Sequence, residues 1–149
     1  MHSFSDLLVH AVFSTKERAR YLDAAIRADV HAYLGGIARE LKAPALMVGG
    51  TEDHVHMLLR LSCDVAVADC LRVAKTNSSR WVHERWPDRG KFAWQTGYAA
   101  FSVSESNRDA VARYIKEQER HHRKMSFQEE LRTLLSKHGI EFDERYIWK

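Results

Sequence analysis

Two histidines one residue apart, His54 and His56, open an apolar stretch, and a tyrosine, Tyr114, stands four residues before a glutamine, Gln118. Side chains two apart on a strand project the same way, so the two neutral imidazoles can converge on one metal ion. A phenol can act as a covalent nucleophile, and an amide oxygen is a hard metal ligand. Each feature also has a plainer explanation. With nine histidines in 149 residues, an H-x-H pair arises by chance in about one such chain of two. The pair therefore reads either as metal ligands or as edge-strand histidines. Tyr114 and Gln118 lie one turn apart on a helix face. That spacing suits a completed site, and equally a tyrosine packed on a sheet beside a solvated glutamine.

The elements that must position these groups follow from periodicity. From His54 the residues alternate, so Val55, Met57, Leu59 and Leu61 face a core while His54, His56, Leu58 and Arg60 face the other way. Upstream, Leu7 to Phe13 reads as a buried strand and Thr15 to Arg20 as a basic loop. Asp23 is expected to cap a helix with Ile26, Val30, Tyr33, Leu34, Ile37 and Leu41 as its apolar stripe. Ala45 to Val48 is a second strand, reversed by Gly49-Gly50 into the histidine strand. Asp64 is expected to cap a second helix, carrying Val67, Leu71, Ala74 and Val82 and stopped at Pro87 and Gly90. Phe92 to Gln95 and Tyr98 to Val103 read as strands around a Thr96-Gly97 turn.

The result is an α+β pattern, β-α-β-β-α-β with an extra strand, of the ferredoxin-like or RRM-like kind. It implies a mostly antiparallel sheet with helices on one face, leaving the other for a site or a partner. A third helix, from Ser106 to about Lys124, carries the tyrosine, and Ser126 caps a fourth that ends at Gly139. The tail closes on Tyr146-Ile147-Trp148, apolar residues that need the core or a second subunit to cover them.

Composition sets the class. A length of 149 residues with 45% hydrophobic and 29% charged residues suits a single domain over 1–149. A formal charge of +3 and a pI near 9.0 permit a polyanionic partner. The pair Cys63 and Cys70, the absence of a signal-like start and the absence of a long apolar run point to a cytoplasmic protein with reduced thiols and no membrane span.

Several stretches together resemble the single-tyrosine HUH transposases of bacterial insertion sequences, a group that includes transposases associated with repetitive extragenic palindromes. They are Asp53-His54-Val55-His56, Phe92-Ala93-Trp94-Gln95-Thr96-Gly97-Tyr98, Ser102-Val103-Ser104, Tyr114-Ile115-x-x-Gln118-x-x-His121-His122, Ser126-Phe127-x-x-Glu130-Leu131 and Tyr146-x-Trp148. The resemblance runs over nearly the whole chain. It implies that His54, His56 and Gln118 hold a divalent ion, Mg2+ or Mn2+, and that Tyr114 cleaves and rejoins single-stranded DNA through a 5′-phosphotyrosine. It also implies a DNA hairpin at the element's end as partner, and a homodimer whose tyrosine helices dock in cis or in trans.

Basic residues interleaved with aromatics supply candidate DNA contacts: Arg18, Arg20, Lys75, Arg80, Arg120, Arg123 and Lys124. Trp81, Trp86, Trp94 and Tyr98 are either stacking platforms or core. His121 and His122 suit a structural or phosphate-binding role better than that of a general base, since His121 lies about two turns beyond Tyr114. Two other functions share parts of this pattern. One is a non-mobile HUH endonuclease serving the host, and the other is a non-catalytic single-stranded nucleic-acid-binding module on the same sheet.

Overall fold

In the computed structural model, which describes residues 3–147, the strands are β1 (Leu7–Ser14), β2 (Ala45–Gly50), β3 (His54–Leu61) and β4 (Ala99–Val103). They form one sheet in the order β2-β3-β1-β4, with every neighbouring pair antiparallel. Two helices, α1 (Arg27–Glu40) and α2 (Val67–Arg85), cover one face. There Ala11 and Phe13 of β1 and Val55, Met57, Leu59 and Leu61 of β3 are buried, as the alternation along β3 requires. Val30, Leu34, Ile37 and Ala38 meet them from α1, and Cys70, Leu71, Ala74 and Val82 from α2. Full burial of each larger aliphatic side chain contributes about 1.5–3 kcal/mol. Trp81 stacks on Tyr33 at 4.3 Å and Trp94 packs edge-on against Phe13 and Phe92. Trp81, Trp86 and Trp94 are thus packing residues of this layer.

The opposite face carries Leu8, His10 and Val12 of β1 and His54, His56 and Leu58 of β3. It is covered by α3 (Arg108–Lys116), α4 (Gln118–His121) and α5 (Phe127–Lys137) of the same chain. Ile115 of α3 packs on Leu8 and Leu58, while Phe127, Leu131 and Leu135 of α5 pack on Val12 and Phe101. Ile147 folds back onto this second cluster; Trp148 lies outside the described residues.

Local structure departs from expectation at several points. Gly49 and Gly50 belong to β2, and the reversal is made by 51–53. What the glycines supply is close approach: a Cβ on Gly49 would stand 2.3 Å from the Ile115 carbonyl oxygen, and one on Gly50 2.1 Å from that of His54. Helix α1 starts at Arg27, and the Asp23 carboxylate accepts the Ala25 N–H in the turn before it and pairs with Arg89. Asp64 accepts from Ser62, and α2 starts at Val67 without a side-chain cap. Ser106 sits in a 3-10 turn, whereas Ser126 does cap α5 by accepting the Glu129 N–H at 3.2 Å. Segment 92–95 forms only an isolated bridge, Thr15 with Trp94, because its large side chains sink into the core. The third helix breaks at Glu117 (φ −96°, ψ 22°).

Two expected outcomes follow. Gly49→Ala drives a methyl into the α3 backbone, an overpacking that costs about 1–3 kcal/mol, measurable by urea unfolding; an unchanged midpoint would mean that α3 does not sit on β2. His31 of α1 has its Nε2 buried without a partner, and burial, with Arg27 adding to it, lowers its pKa from 6.5 to about 4. The unfolded chain therefore takes up this proton first. Stability is full above pH 6.5 and falls, by up to about 1.4 kcal/mol per pH unit, as pH drops toward 4. Thermal melting should show His31→Leu flattening that decline.

Candidate active site

Strand β3 delivers two imidazoles to the α3–α5 face and buries both completely. Helix α3 brings Tyr114, and past the break at Glu117, α4 brings Gln118, 1% exposed. The alternation of β3 and the Tyr114–Gln118 spacing thus place four expected groups together. What joins them is a residue to which the sequence had assigned no role, Glu130 of α5, itself 1% exposed.

One carboxylate oxygen of Glu130, Oε1, accepts from His56 Nε2 at 3.0 Å and from His122 Nε2 at 3.0 Å, with His54 Nε2 3.4 Å away. The other, Oε2, accepts from Gln118 Nε2 at 2.9 Å and from the Tyr114 hydroxyl. His54 and Gln118 also meet directly, Nε2 to Oε1, at 2.8 Å. An isolated carboxylate at this depth would be strongly disfavoured. Burial does push Glu130 toward protonation, but the hydrogen bonds from His122, His54 and His56 outweigh it and hold its pKa well below the usual carboxylate range.

The two histidines of the pair titrate in opposite directions because their second ring nitrogens meet different groups. His54 Nδ1 faces Asp53 Oδ1 at 2.8 Å, while Thr51 Oγ1 donates to the same carboxylate oxygen at 3.1 Å. His54 donates on both sides. Burial opposes its charge, yet Asp53 and Glu130 together push its pKa up to about 9. His56 Nδ1 meets His10 Nε2 at 2.7 Å. Burial dominates there and lowers the pKa of His56 despite Glu130. In the neutral pair, His10 donates to His56 and His56 donates to Glu130. Burial, reinforced by His56, lowers the pKa of His10 to about 3. Tyr114 goes the other way: burial and the Glu130 charge push its phenol well above its ordinary value.

Phe127 stacks on the His54 ring at 4.5 Å and closes the site from the α5 side. A cavity of about 500 Å³ opens on the other side, where Tyr114, His10 and Glu130 meet Ser104, Lys137 and His138. The donor set fits a divalent cation. The ligand atoms of His54, His122 and Glu130 all lie within 4.8 Å of one another, and Gln118 Oε1 adjoins them.

The expected DNA-contact residues do not share one surface. Arg18 lines a pocket with Tyr98 and Phe127. Arg120 and Arg123 line a groove with Arg27, His31 and Lys116 on the β2 side. Arg20, Arg80 and Lys124 are exposed. Lys75 is half-buried and donates to the carbonyls of Gln95 and Gly97 at 2.5 and 2.7 Å, so its charge fastens the loop before β4. Sequence reasoning missed Glu130, His10 and the inward position of His122. A signal for Glu130 existed, in the Ser126-Phe127-x-x-Glu130 spacing.

Among the described residues no helix is long and apolar enough to cross a membrane. The chain is similar over 114 residues to the ISDra2 transposase TnpA of Deinococcus radiodurans, at 25% identity, covering 73% of this chain and 81% of that protein. In structure it is similar to a crystallised Deinococcus radiodurans R1 protein assigned as a transposase, with a TM-score of 0.64 and 24% identity over 79% of this chain and 95% of that one. It also shares the fold of a REP-associated tyrosine transposase solved bound to a REP hairpin, with a TM-score of 0.58 and 11% identity over 78% and 69% of the two chains. Residues 3–118, which include His54, His56, Tyr114 and Gln118, match the family described as IS200-like transposases, and the chain belongs to that family.

Proposed function

We propose that this transposase cleaves and rejoins single-stranded DNA with Tyr114 as nucleophile, beside a divalent ion held by His54, His56 and Gln118. The observation that carries this is the convergence of those four side chains on the buried carboxylate of Glu130. In the cleavage step the phenol oxygen bonds to the scissile phosphorus and the bond to the 3′ oxygen breaks, leaving a 5′-phosphotyrosine and a free 3′ end. Rejoining is the reverse attack by a 3′-hydroxyl, and the retained phosphoester bond makes a nucleotide cofactor unnecessary.

The chain's own groups account for the proton. Tyr114 already donates to Glu130 Oε2, so the carboxylate stands where the phenol proton must go. Glu130 is the base the sequence did not name. Asp53 and His10 fix how His54 and His56 present their Nε2 atoms. A bound Mg2+ or Mn2+ would polarise a phosphate oxygen and offset charge on the departing 3′ oxygen.

The DNA partner proposed is a single-stranded hairpin at the element's end, in keeping with the hairpin bound by the structural relative. Arg18, Arg20, Arg80, Arg120, Arg123 and Lys124 are its proposed phosphate contacts. The proposed assembly is a homodimer, with the tyrosine helix docked in cis or, by way of the segment Ser102 to Asn107, in trans. The non-catalytic module is disfavoured because Trp81, Trp86 and Trp94 pack within the α1–α2 layer.

Incubation of the protein with labelled hairpin DNA from its own locus and Mg2+ or Mn2+ should give a covalent adduct stable to denaturing electrophoresis. Tyr114→Phe should abolish it, and Glu130→Gln should slow it by about 10²–10⁴-fold, the usual weight of a general base. Binding without an adduct under any metal would remove the catalytic reading. Cleavage without strand joining would instead favour the host endonuclease.

A further inference from the structure

We propose that the cavity beside Tyr114 seats one unpaired nucleotide of the DNA strand, within two positions of the scissile phosphate, with its base on the His138 ring and its phosphate at Lys137. This deepens the function above and rests on it for the substrate, single-stranded DNA. It adds two residues that hold the strand directly.

The cavity has a volume of about 500 Å³, within the range of small-ligand sites and too small for a duplex. Strand β4 is at the edge of the sheet, so the wall made by Ser102 and Ser104 lies on the open side, where a single strand can enter. Two other cavities are not lined by Tyr114, and each has carboxylates in its wall: Asp143 in one, Glu117 and Glu119 in the other.

A run of ring contacts leads from the phenol to the proposed platform. Tyr114 stands 6.2 Å from His10, and His10 of β1 pairs in register with Phe101 of β4, their rings 6.0 Å apart. His138, the first residue beyond α5, stacks on Phe101 at 4.4 Å and 24°. Its Nδ1 donates to the Leu134 carbonyl oxygen at 2.8 Å. The ring is thus fixed by one face and one nitrogen, yet the residue is exposed. A fixed aromatic ring with an open outer face is what an unpaired base stacks on.

Charge favours the same occupant. Among the described residues Glu130 is the only acidic one lining the cavity, and its oxygens are engaged by His56, His122, Gln118 and Tyr114. Lys137, in the last turn of α5, is exposed and lines the same cavity. A phosphate entering there meets a cation and no unpaired carboxylate.

The test measures affinity of the full-length protein for hairpin DNA with a single-stranded flank, by fluorescence anisotropy in chelator so that the strand stays intact. Each flank position is made abasic in turn. One position should weaken binding about 5–100-fold, the loss expected for one base stack. His138→Ala should weaken binding to intact DNA by a similar factor, and the abasic change should then cost nothing more, because both remove the same contact. His138→Phe, which keeps a ring, should restore both the affinity and the abasic effect. Lys137→Ala should lower the slope of log affinity against log salt by about one. Circular dichroism checks that the variants are folded, and the abasic scan and the salt slope stand without His138→Ala.

A flank with no sensitive position, abasic and His138→Ala losses that add, or an unchanged salt slope in Lys137→Ala would each overturn the proposal. So would a change in the sedimentation of DNA-free protein in folded His138→Ala, which would make the cavity a contact between copies of this chain. A Tyr114 adduct without a sensitive position sinks this inference and leaves strand transfer standing. A sensitive position coupled to His138, without any adduct, does the opposite.

Discussion

A single buried carboxylate holds the site half of this protein together. Glu130 sits at 1% exposure, a depth at which an unpaired charge is untenable. Its two oxygens are satisfied only because β3, α3 and α4 all send a donor to the place where α5 delivers the anion. The packing of the three C-terminal helices on the sheet and the geometry of the candidate active site are therefore one condition. Removing the carboxylate would leave buried donors without acceptors, and His54 with Asp53 as its only remaining anion. Truncating one partner of such a group typically costs 3–5 kcal/mol.

The sheet makes this possible by being two-sided. Its outer-layer face is an ordinary apolar core against α1 and α2, so stability does not have to come from the polar face. That frees alternate positions of β1 and β3 to carry His10, His54 and His56 into a closed layer. The same layer needs α3 almost in contact with β2, and Gly49 opposite the Ile115 carbonyl permits that approach. Ile115 is the residue after Tyr114, so the glycine acts directly on where the phenol stands.

Much of this was legible in the sequence because it rests on local periodicity. The period of two along His54 to Leu61 assigned both faces of β3 correctly, the apolar stripes located α1 and α2, and Ser126 marked the start of α5. The Tyr114–Gln118 spacing pointed to a shared face. What escaped depends on partners distant in the chain. Glu130 lies 74 residues from His56, and His10 lies 46 from it, and no periodicity encodes such pairs. His10 looked like one more residue in an apolar strand. Lys75 looked like a phosphate contact because its loop carbonyl partners, 20 and 22 residues away, are set by tertiary packing. The strand expected at 92–95 failed for a related reason: aromatic residues have strand propensity, but burying Phe92 and Trp94 in the core claimed that segment before the sheet could.

The two oxygens of Glu130 also tie the imidazoles to the Tyr114 phenol. Oε2 accepts from Tyr114, and its charge helps hold the phenol protonated, with a pKa well above the ordinary value. Oε1 faces the imidazoles. Positive charge added on the Oε1 side draws electron density from the whole carboxylate and weakens its electrostatic hold on the phenol proton. It also makes the carboxylate a poorer base. Ionisation of the Tyr114 phenol is thus a balance between the field that frees the phenolate and the basicity that accepts its proton, both set at one side chain. The glutamate is satisfied in part by a neutral imidazole, His56, which donates to it without a full charge, whereas a guanidinium would fix the carboxylate as a permanent, weakly basic ion-pair partner.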